Sequence, residues 1–337
     1  MKKYHRAIVF SKVPLKSVFR YKDLFQLYPA NLENLPSYHG QRHYPLLLEY
    51  WTTDADKVTI DHELAEISNL FSDTARTMSK QDTILSLLTF LSNHHFFRYT
   101  DLDGNWGLSM LKEDPTPEEA NAWSSKWCIP WFIFPGLPAQ LKITEFSKVD
   151  LKSTPTVRHV PYYTNDPNLE LDTEREITFP GTIFSVLDAY FELAEEAKAA
   201  VDNAIYYLVS AVEVRRTKKT LALLSSFTAV ETMINWEFRG HEADKCGACG
   251  QLKYSIARKF REYLLKYVGN SDTNKKKFNA YYSLRSKVTH TGHLLKNELL
   301  FSDVSKADRE KDYMTSLEVL QLGKLSVANW LVFNAES

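Results

Sequence analysis

The chain has little cysteine and no long apolar run. Its 337 residues include only three cysteines, too few for a disulfide framework. No stretch reaches the roughly 18 consecutive apolar residues that a membrane helix needs. The apolar residues 7–10 after the basic start are too short for the core of a signal peptide. We therefore expect a soluble cytoplasmic protein with no membrane partner.

Glycine, proline and net charge are low as well. The chain contains 11 Gly and 13 Pro, and its formal net charge is −1. So small a charge argues against a globally basic coat for nucleic acid. A chain of this length with 44% hydrophobic residues can bury substantial cores, and it exceeds one average domain. Two globular domains are the first expectation.

An irregular segment divides the chain near residue 180. Four prolines, Pro155, Pro161, Pro167 and Pro180, surround the acidic tract 170–176. Proline removes an amide donor and disfavours helix in the residue before it, which predicts an extended linker from about residue 150. The predicted fold class is an α+β N-terminal domain, residues 1–180, with a sensor or regulatory role, followed by an all-α helical bundle, residues 181–337.

Helical periodicity is strong after residue 182. Apolar residues recur every three or four positions, which predicts one helix over 186–212, others over 223–238 and 256–267, and two more over about 274–289 and 313–333. In the first half we predict strands over 7–10 and 44–51, helices over 63–78 and 79–92, and a buried strand over 127–134. The Asp103-Gly104 pair predicts a hairpin that joins 96–100 to 106–108.

One pair of residues points to chemistry. Arg285 and His290 are separated by four residues in a basic, predicted helical segment. Arginine binds phosphate with a permanent cationic fork, and histidine exchanges protons near neutral pH. Such a pair also occurs by chance on ordinary helix surfaces.

The residues around this pair resemble the Apea-like branch of the HEPN superfamily. The R-x4-6-H motif of that family is similar to Arg285–His290, and segments 221–231, 246–251 and 254–256 follow the family in the same order. The resemblance covers about residues 182–335. It implies a helical domain that pairs as a dimer. Such domains are often ribonucleases of toxin or phage-defence systems, so the expected partners are RNA and either an antitoxin or a phage trigger. Some relatives bind nucleotides or have lost activity.

Helix geometry also favours a dimer. Five residues along a regular helix correspond to about 140° of rotation and about 7.5 Å of rise, so we expect one helix to make a poor site by itself. His290 would be the general acid or base and Arg285 would bind the phosphate. No metal is required for that reaction. Possible accessory residues are Glu231, Ser286 and His293. Glu231 would orient His290 if its helix packs alongside, although a solvated Glu, a backbone-capping Ser and an exposed loop His are the commoner roles.

A local basic field accompanies the motif. Between Lys253 and His290 ten basic residues oppose two acidic ones, which leaves +8. Such a field attracts a polyanion, although a solvated helix face is an equally good interpretation of the charge alone. The predicted RNA-binding residues are Lys253, Arg258, Lys259 and Lys287.

Cys246 and Cys249 have the spacing of half a zinc site. A structural zinc ion, completed by His241 or by a second copy of the chain, and two unmetallated thiols in a turn are equally consistent with this spacing. The His94-His95 and Asp101-x-Asp103 pairs favour structural roles. Two other functions stay open: a non-catalytic HEPN-type module that binds nucleotide, RNA or protein, and a structural dimer in which Arg285 forms ion pairs.

Overall fold

The chain divides into two compact units. The computed structural model describes residues 2–32, 43–53, 65–98, 105–106, 115–128, 131–132, 134, 136–165, 175–240, 256–298 and 304–335. The first unit takes its described residues from 1–88, 94–155 and 169–178, and the second from 89–93, 156–168 and 179–337. The first unit is built on a sheet and the second is mostly helical. The predicted order of an α+β region followed by a helical region is confirmed at this level.

The elements of the first unit differ widely in length. They are β1 (Lys2–Ser11), β2 (Phe19–Tyr21), β3 (Phe25–Pro29), β4 (Tyr44–Thr53), α1 (Ala65–Leu91), β5 (Phe96–Phe97), β6 (Asn105–Trp106), α2 (Pro117–Trp127), β7 (Trp131–Phe132) and α3 (Leu137–Gln140). The last residues of α1, from Thr89 on, belong to the second unit.

An antiparallel sheet with the strand order β2-β3-β4-β1-β5 forms the core of this unit. Strands β1 and β4 pair along ten residues, from Lys2 opposite Thr53 to Ser11 opposite Tyr44. The last three residues of β1 and most residues of β4 are buried, in agreement with the apolar runs in both strands. The two predicted strands are confirmed, and both are longer than the apolar runs that revealed them.

A buried carboxylate ties this sheet to the segment after α3. The side chain of Glu49 is fully buried and accepts hydrogen bonds from Arg6 Nε, Gln26 Nε2, the Tyr28 hydroxyl, and both the amide and the hydroxyl of Ser147, all at 2.6–2.8 Å. Burial by itself would raise the pKa of Glu49, but the hydrogen bonds from Tyr28, Ser147 and Arg6 lower it below its usual value. Burial raises the pKa of Tyr28 to about 12. Glu49 is therefore a fully satisfied structural anion.

Helix α1 is continuous where two helices were predicted. The division after Met78 was wrong, because no Gly or Pro between residues 65 and 91 interrupts the backbone hydrogen bonds. A serine such as Ser79 favours a helix start but also tolerates a helix interior.

The predicted hairpin is wrong as well. Strand β5 pairs with β1, through Phe97 opposite Phe10, and β6 pairs in parallel with β7. The intervening residues 101–104, which include Asp101, Asp103 and Gly104, lie outside the described residues. Asp-Gly is a local turn signal, but it does not determine which strands pair with β5 and β6.

The predicted buried strand over 127–134 is corrected too. Trp127 ends helix α2, and its side chain is 52% exposed and stacks on Trp123 with 6.1 Å between ring centroids. The helix begins at a capping box formed by Thr116 and Glu119 and ends at Cys128 in the left-handed conformation. The prediction is therefore wrong at Trp127, whereas Trp131 and Phe132, farther along the same segment, do form the short strand β7.

The second unit consists of helices and one short pair of parallel strands. Its elements are β8 (Thr156–Val157), α4 (His159–Thr164), β9 (Phe179–Pro180), α5 (Ile183–Glu192), α6 (Glu195–Val214), α7 (Lys219–Glu237), α8 (Ile256–Tyr267), α9 (Asp272–Thr291), a 3-10 turn (Lys296–Glu298) and α10 (Lys306–Ala335).

The predicted helix over 186–212 is two helices. Its apolar residues on both sides of the break are buried as expected, but Leu193 and Ala194 have extended backbone angles that end α5 and begin α6. Glu195 and Glu196 then occupy the first turn of α6, where the helix dipole favours negative charge. The apolar spacing continues across the break, so periodicity alone does not reveal it.

Helix α10 is the long central element of this unit and contacts α4, α5, α6, α7 and α8. Gly323 allows α10 to approach α6 closely, because a Cβ at this position would lie 2.9 Å from Cδ2 of Leu208. Leu325, Val327, Ala328 and Leu331 are completely buried. The prediction of a helix over 313–333 is confirmed, and the helix is longer at its start.

Residues 89–93 contribute to the helical unit although they follow α1 in the first half of the chain. Lys324 is 2% exposed and donates from Nζ to the carbonyls of Thr89 (2.9 Å) and Ser92 (2.7 Å). Asn93 receives a hydrogen bond from Gln321 and donates to the carbonyl of Tyr162. Lys324 thus satisfies carbonyls that the end of an α-helix leaves without partners.

Candidate functional site

Helix α9 carries the Arg285–His290 pair. Ser271 caps its start, where its hydroxyl accepts from the amide of Asn274, and Gly292 ends it with a φ of +64° that favours glycine. Phe278, Tyr281 and Val288 form its buried side. The predicted helix over 274–289 is confirmed with slightly wider bounds, and Arg285 and His290 lie in its last two turns.

The two side chains meet within one chain. Nη1 of Arg285 lies 3.4 Å from Nε2 of His290, so the guanidinium donates and the imidazole accepts. The expectation that a single helix keeps these residues apart was wrong. The rotation and rise along the helix describe only the backbone positions of the two residues. The long side chain of Arg285 extends far enough along the helix to reach the imidazole.

Glu231 on α7 holds the arginine and not the histidine. Nη2 of Arg285 donates to Oε2 at 2.9 Å, and Nε lies 2.6 Å from Oε1 in an ion-pair contact without hydrogen-bond geometry. The predicted role of Glu231 in orienting His290 is therefore corrected. The carboxylate contacts one edge of the guanidinium, and this leaves Nη1 next to the imidazole.

The three side chains differ in their access to solvent. His290 is exposed, whereas the side chains of Arg285 and Glu231 are 19% and 21% exposed. The pair fixes the guanidinium in a half-buried place, and the histidine beside it can meet a ligand from solution. The arrangement offers an accepting imidazole nitrogen and a cationic N–H donor within 3.4 Å of each other.

Acidic residues from other helices neutralise much of the predicted basic field. Lys266 pairs with Glu237 of α7 at 2.5 Å, Lys277 pairs with Glu318 of α10, and Arg285 pairs with Glu231. Lys275 pairs with Asp272 and Arg258 with Glu262 within their own helices. The count of +8 along the sequence therefore overstates the local charge, because it omits acids that tertiary structure brings in.

Four cations of this segment have no carboxylate partner within the described residues: Lys259, Arg261, Lys276 and Lys287. Lys259 lies over the ring of Phe238, 5.5 Å from its centroid, and Arg261 donates to Asn279. Lys287 is exposed on α9, two residues from Arg285. Of the predicted RNA-binding residues, Lys287 is therefore close in sequence to Arg285 and His290. Arg258 forms an ion pair with Glu262.

The other predicted residues have separate surroundings. Ser286 is half-buried, and His293 is exposed just beyond the end of α9. Lys253, Cys246, Cys249 and His241 lie outside the described residues. The zinc site therefore stays a prediction.

Glu318 and Glu237 are two acids that the sequence did not single out. Glu318 accepts hydrogen bonds from Lys277 and from the Tyr281 hydroxyl on α9. Glu237 accepts from Lys266, Tyr267 and Trp330; burial opposes its ionisation, but these hydrogen bonds lower its pKa. Both residues lie far from α9 or α8 in sequence, so no local pattern could have identified them.

The part of the chain that the structure describes contains neither a metal-binding cluster nor a membrane-spanning helix. No group of three or more His, Cys, Asp or Glu side chains there could hold a metal ion. None of the helices there is long and apolar enough to cross a membrane. His94 is buried and His95 half-buried at the end of α1.

Comparisons with known proteins identify no relative. No protein family, no curated protein and no solved structure matches this chain.

Proposed function

We propose that the protein is a metal-independent endoribonuclease of the HEPN type, acting in the cytoplasm as a dimer. The observation that carries the proposal is the 3.4 Å contact between Nη1 of Arg285 and Nε2 of the exposed His290. The contact supports the proposal because it brings an accepting imidazole nitrogen next to a cationic N–H donor. The Apea-like resemblance of the same helix supports the same reaction, and it favours a role in phage defence or as a toxin under the control of an antitoxin or a phage trigger.

The reaction uses the substrate's own nucleophile. His290 takes the proton from the ribose 2′-hydroxyl, which attacks the adjacent phosphorus. The bond to the 5′-oxygen breaks, and a second proton carrier protonates the leaving oxygen. Arg285 stabilises the extra negative charge of the transition state. The products are a 2′,3′-cyclic phosphate and a 5′-hydroxyl, and DNA is not cut because it lacks the 2′-hydroxyl.

Glu231 positions the arginine in this proposal. Its ion pair directs Nε and Nη2 toward α7, so the remaining Nη1 can contact a phosphate oxygen next to His290. A fixed donor needs no reorganisation when charge develops, which is the usual source of such stabilisation. Among the residues that the structure describes, His290 is the histidine in contact with the arginine. A second copy would supply the second proton carrier, and this is the reason for proposing a homodimer.

The test is cleavage of labelled RNA and of DNA with the same sequence in the presence of EDTA. We expect cleavage of RNA alone. His290→Ala should lower the rate by about 10²- to 10⁴-fold, the usual contribution of a general acid or base. Arg285→Ala should lower it by a similar factor. His293→Ala is the matched control, because it removes an exposed histidine three positions farther on.

Two results would contradict the proposal. One is wild-type activity of both His290→Ala and Arg285→Ala. The other is a strict requirement for Mg²⁺. Light scattering on the active protein checks the dimer, and full activity from a monomer at micromolar concentration would remove that part of the proposal.

The ion pair of Arg285 favours a second candidate, a non-catalytic helical module that binds nucleotide, RNA or protein. Glu231 already balances the charge of the arginine, as an ordinary structural pair would. In that case RNA stays intact with the wild-type protein. Binding of RNA in a gel-shift experiment, weakened by Lys287→Ala, would then identify the RNA-binding form of the module.

A structural zinc ion at Cys246 and Cys249 is part of the proposal and is not required for catalysis. We expect elemental analysis of freshly purified, reduced protein to find zinc. Cys249→Ser should lose the metal and lower the melting temperature, because structural zinc binding is coupled to folding. Cys128→Ser is the matched control, since Cys128 is an exposed free thiol. If the wild-type protein contains no zinc, the alternative interpretation of Cys246 and Cys249 as two unmetallated thiols is favoured.

A further inference from the structure

A stripe of exposed polar residues runs along α9 and ends at His290. Its members are all exposed and recur every three or four positions: Lys276, Asn279, Ser283, Lys287 and His290. From Lys276 to His290 the helix rises by about 21 Å, and the two side chains differ in direction by about 40°. These residues therefore share one face of the helix, which we call the α9 stripe.

The two sides of α9 differ in how their charges are paired. On the side that packs against other helices, Lys277 and Arg285 form ion pairs with acids of α10 and α7. Lys276 and Lys287 on the α9 stripe have no carboxylate partner among the described residues. The acid of α9 itself, Asp272, lies one turn before the stripe and is paired within the first turn. Positive charge is therefore left on the exposed side.

Helix α8 adds a third cation to the stripe. Nη1 of Arg261 donates to Oδ1 of Asn279 at 3.2 Å, which places the guanidinium beside the stripe. A guanidinium carries five N–H donors, so most of them remain for a ligand. Arg261 also has no carboxylate partner among the residues that the structure describes. Three cations thus lie along a path that leads to His290.

The side chains of the stripe suit phosphate groups better than bases. Between Lys276 and Lys287 the stripe carries no aromatic ring on which a base could stack, and the Ser283 hydroxyl already donates to the carbonyl of Asn279. The groups that remain for a ligand are the three cations. Cations along one face match a chain of phosphates, and binding of this kind tolerates different sequences and depends strongly on salt.

The length of the stripe selects a polymer. A nucleic-acid strand with stacked bases rises about 3.4 Å per nucleotide, so the distance of about 21 Å corresponds to about six nucleotides. A mononucleotide or dinucleotide at His290 does not reach Lys276. A ligand that uses all three cations is therefore a polyanion with several regularly spaced phosphates.

We propose that the α9 stripe binds the part of a single-stranded RNA that extends to one side of the cleaved bond. Arg261, Lys276 and Lys287 are then substrate-binding residues, and the strand leads its scissile phosphate to Arg285 and His290. This inference rests on the proposed ribonuclease function, from which it takes RNA as the ligand. It adds a minimum length of about six nucleotides and a contact that reads phosphate alone, so DNA of the same sequence binds without being cut.

The experiment measures binding by fluorescence anisotropy in EDTA, with full-length His290→Ala protein so that RNA stays intact. The probes are a labelled RNA of about twelve nucleotides, DNA of the same sequence and a labelled dinucleotide. We expect the two long probes to bind with similar affinity, and the dinucleotide at least about fivefold more weakly. The logarithm of the affinity should fall against the logarithm of the salt concentration with a slope of about −2, the value for three contacts to a single strand. No binding of the long RNA, or a slope near zero, would overturn the proposal.

Variants in the same background locate the strand. Lys276→Gln and Arg261→Gln should each reduce the steepness of the salt dependence by about 0.7 and the affinity for the long RNA by about fivefold at 0.1 M salt. Lys218→Gln is the matched control, because it removes the same charge from an exposed residue of the helical unit just before α7. An equal loss in Lys218→Gln would mean unspecific attraction, and a wild-type slope in Lys276→Gln would mean another path for the strand. Either result would overturn the proposal.

Cleavage assays separate this inference from the ribonuclease proposal. In protein that keeps His290, Lys276→Gln should raise the KM for the long RNA by about fivefold and leave kcat unchanged, because Lys276 lies far from the reacting atoms. Cleavage of the dinucleotide should not change. If the wild-type protein does not cut RNA but Lys276→Gln weakens binding, the ribonuclease proposal fails and the stripe stands as an RNA-binding surface. If the wild-type protein cuts RNA and Lys276→Gln behaves like it on both substrates, the inference about the stripe fails alone.

Discussion

Each unit of the molecule contains an Arg–Glu pair, and the two pairs differ in their surroundings. In the sheet unit, Glu49 is 0% exposed and accepts from Arg6 and from three further residues. In the helical unit, Glu231 is 21% exposed and contacts Arg285, whose remaining Nη1 approaches an exposed histidine. We call the first pair closed, because all its acceptor positions are used and buried, and the second open, because a donor remains next to an exposed side chain.

This difference in solvent exposure indicates which pair can act on a ligand. A buried carboxylate with all its acceptor positions used has nothing left to offer and serves to hold segments together. A half-buried pair next to an exposed, titratable side chain keeps donors that a substrate can use. The presence of an Arg–Glu pair is therefore poor evidence for function unless its solvent access is known.

The largest expected effect comes from removing the buried carboxylate. Glu49→Ala leaves Arg6 and several donors without their acceptor, so we expect a loss of about 3–5 kcal/mol in the free energy of unfolding. Urea denaturation followed by circular dichroism measures the loss, and hydrogen exchange should localise it to β1 and β4. Asp82→Ala, which breaks the exposed pair with Arg98, is the matched control and should cost about 1 kcal/mol or less. Equal losses in both variants would remove the contrast between closed and open pairs.

Acidification should affect the two units in different pH ranges. Burial lowers the pKa of His159 below 6.5, although its hydrogen bond to Asn329 opposes this shift. The unfolded chain then binds a proton that the folded chain does not, so stability is complete above about pH 6.5 and falls below it. The lowered pKa of Glu49 stabilises the sheet unit above about pH 4.5, and this contribution is lost only as pH falls further.

The measurement is the urea midpoint and the unit-specific hydrogen exchange between pH 8 and pH 5. We expect the helical unit to weaken first. His159→Gln should flatten the dependence near pH 6.5, because the amide does not titrate. A wild-type slope in His159→Gln would assign the pH dependence to other histidines.

The smallest effect on stability should come from the open pair. Glu231→Gln keeps an oxygen that can accept from Arg285 and removes only the charge, so we expect a loss of about 1 kcal/mol or less. Under the ribonuclease proposal the same change should lower the cleavage rate, because the guanidinium is no longer held in place. A loss of stability as large as that of Glu49→Ala would instead make the pair structural.

Local sequence patterns predicted most of the regular elements. The spacing of Phe260, Leu264 and Tyr267 identified α8, and the apolar runs in β1 and β4 identified the two long strands. The same patterns failed at the break between α5 and α6 and at the proposed hairpin. In both places the choice depends on backbone angles or strand partners that the order of apolar residues does not encode.

The candidate site was predicted only in part. Arg285 and His290 were found from their spacing, whereas Glu231 was assigned to the wrong neighbour because its distance from each side chain is a tertiary property.

The sequence by itself determined where helices and strands can form, since apolar periodicity and caps such as Ser271 and Gly292 act over a few residues. Only the tertiary structure decided which charges meet. It paired the basic residues of α8 and α9 with acids on α7 and α10, and it brought residues 89–93 to Lys324. The physical reason is range: helix and strand propensities are properties of neighbouring residues, whereas ion pairs and buried hydrogen bonds depend on how distant segments pack.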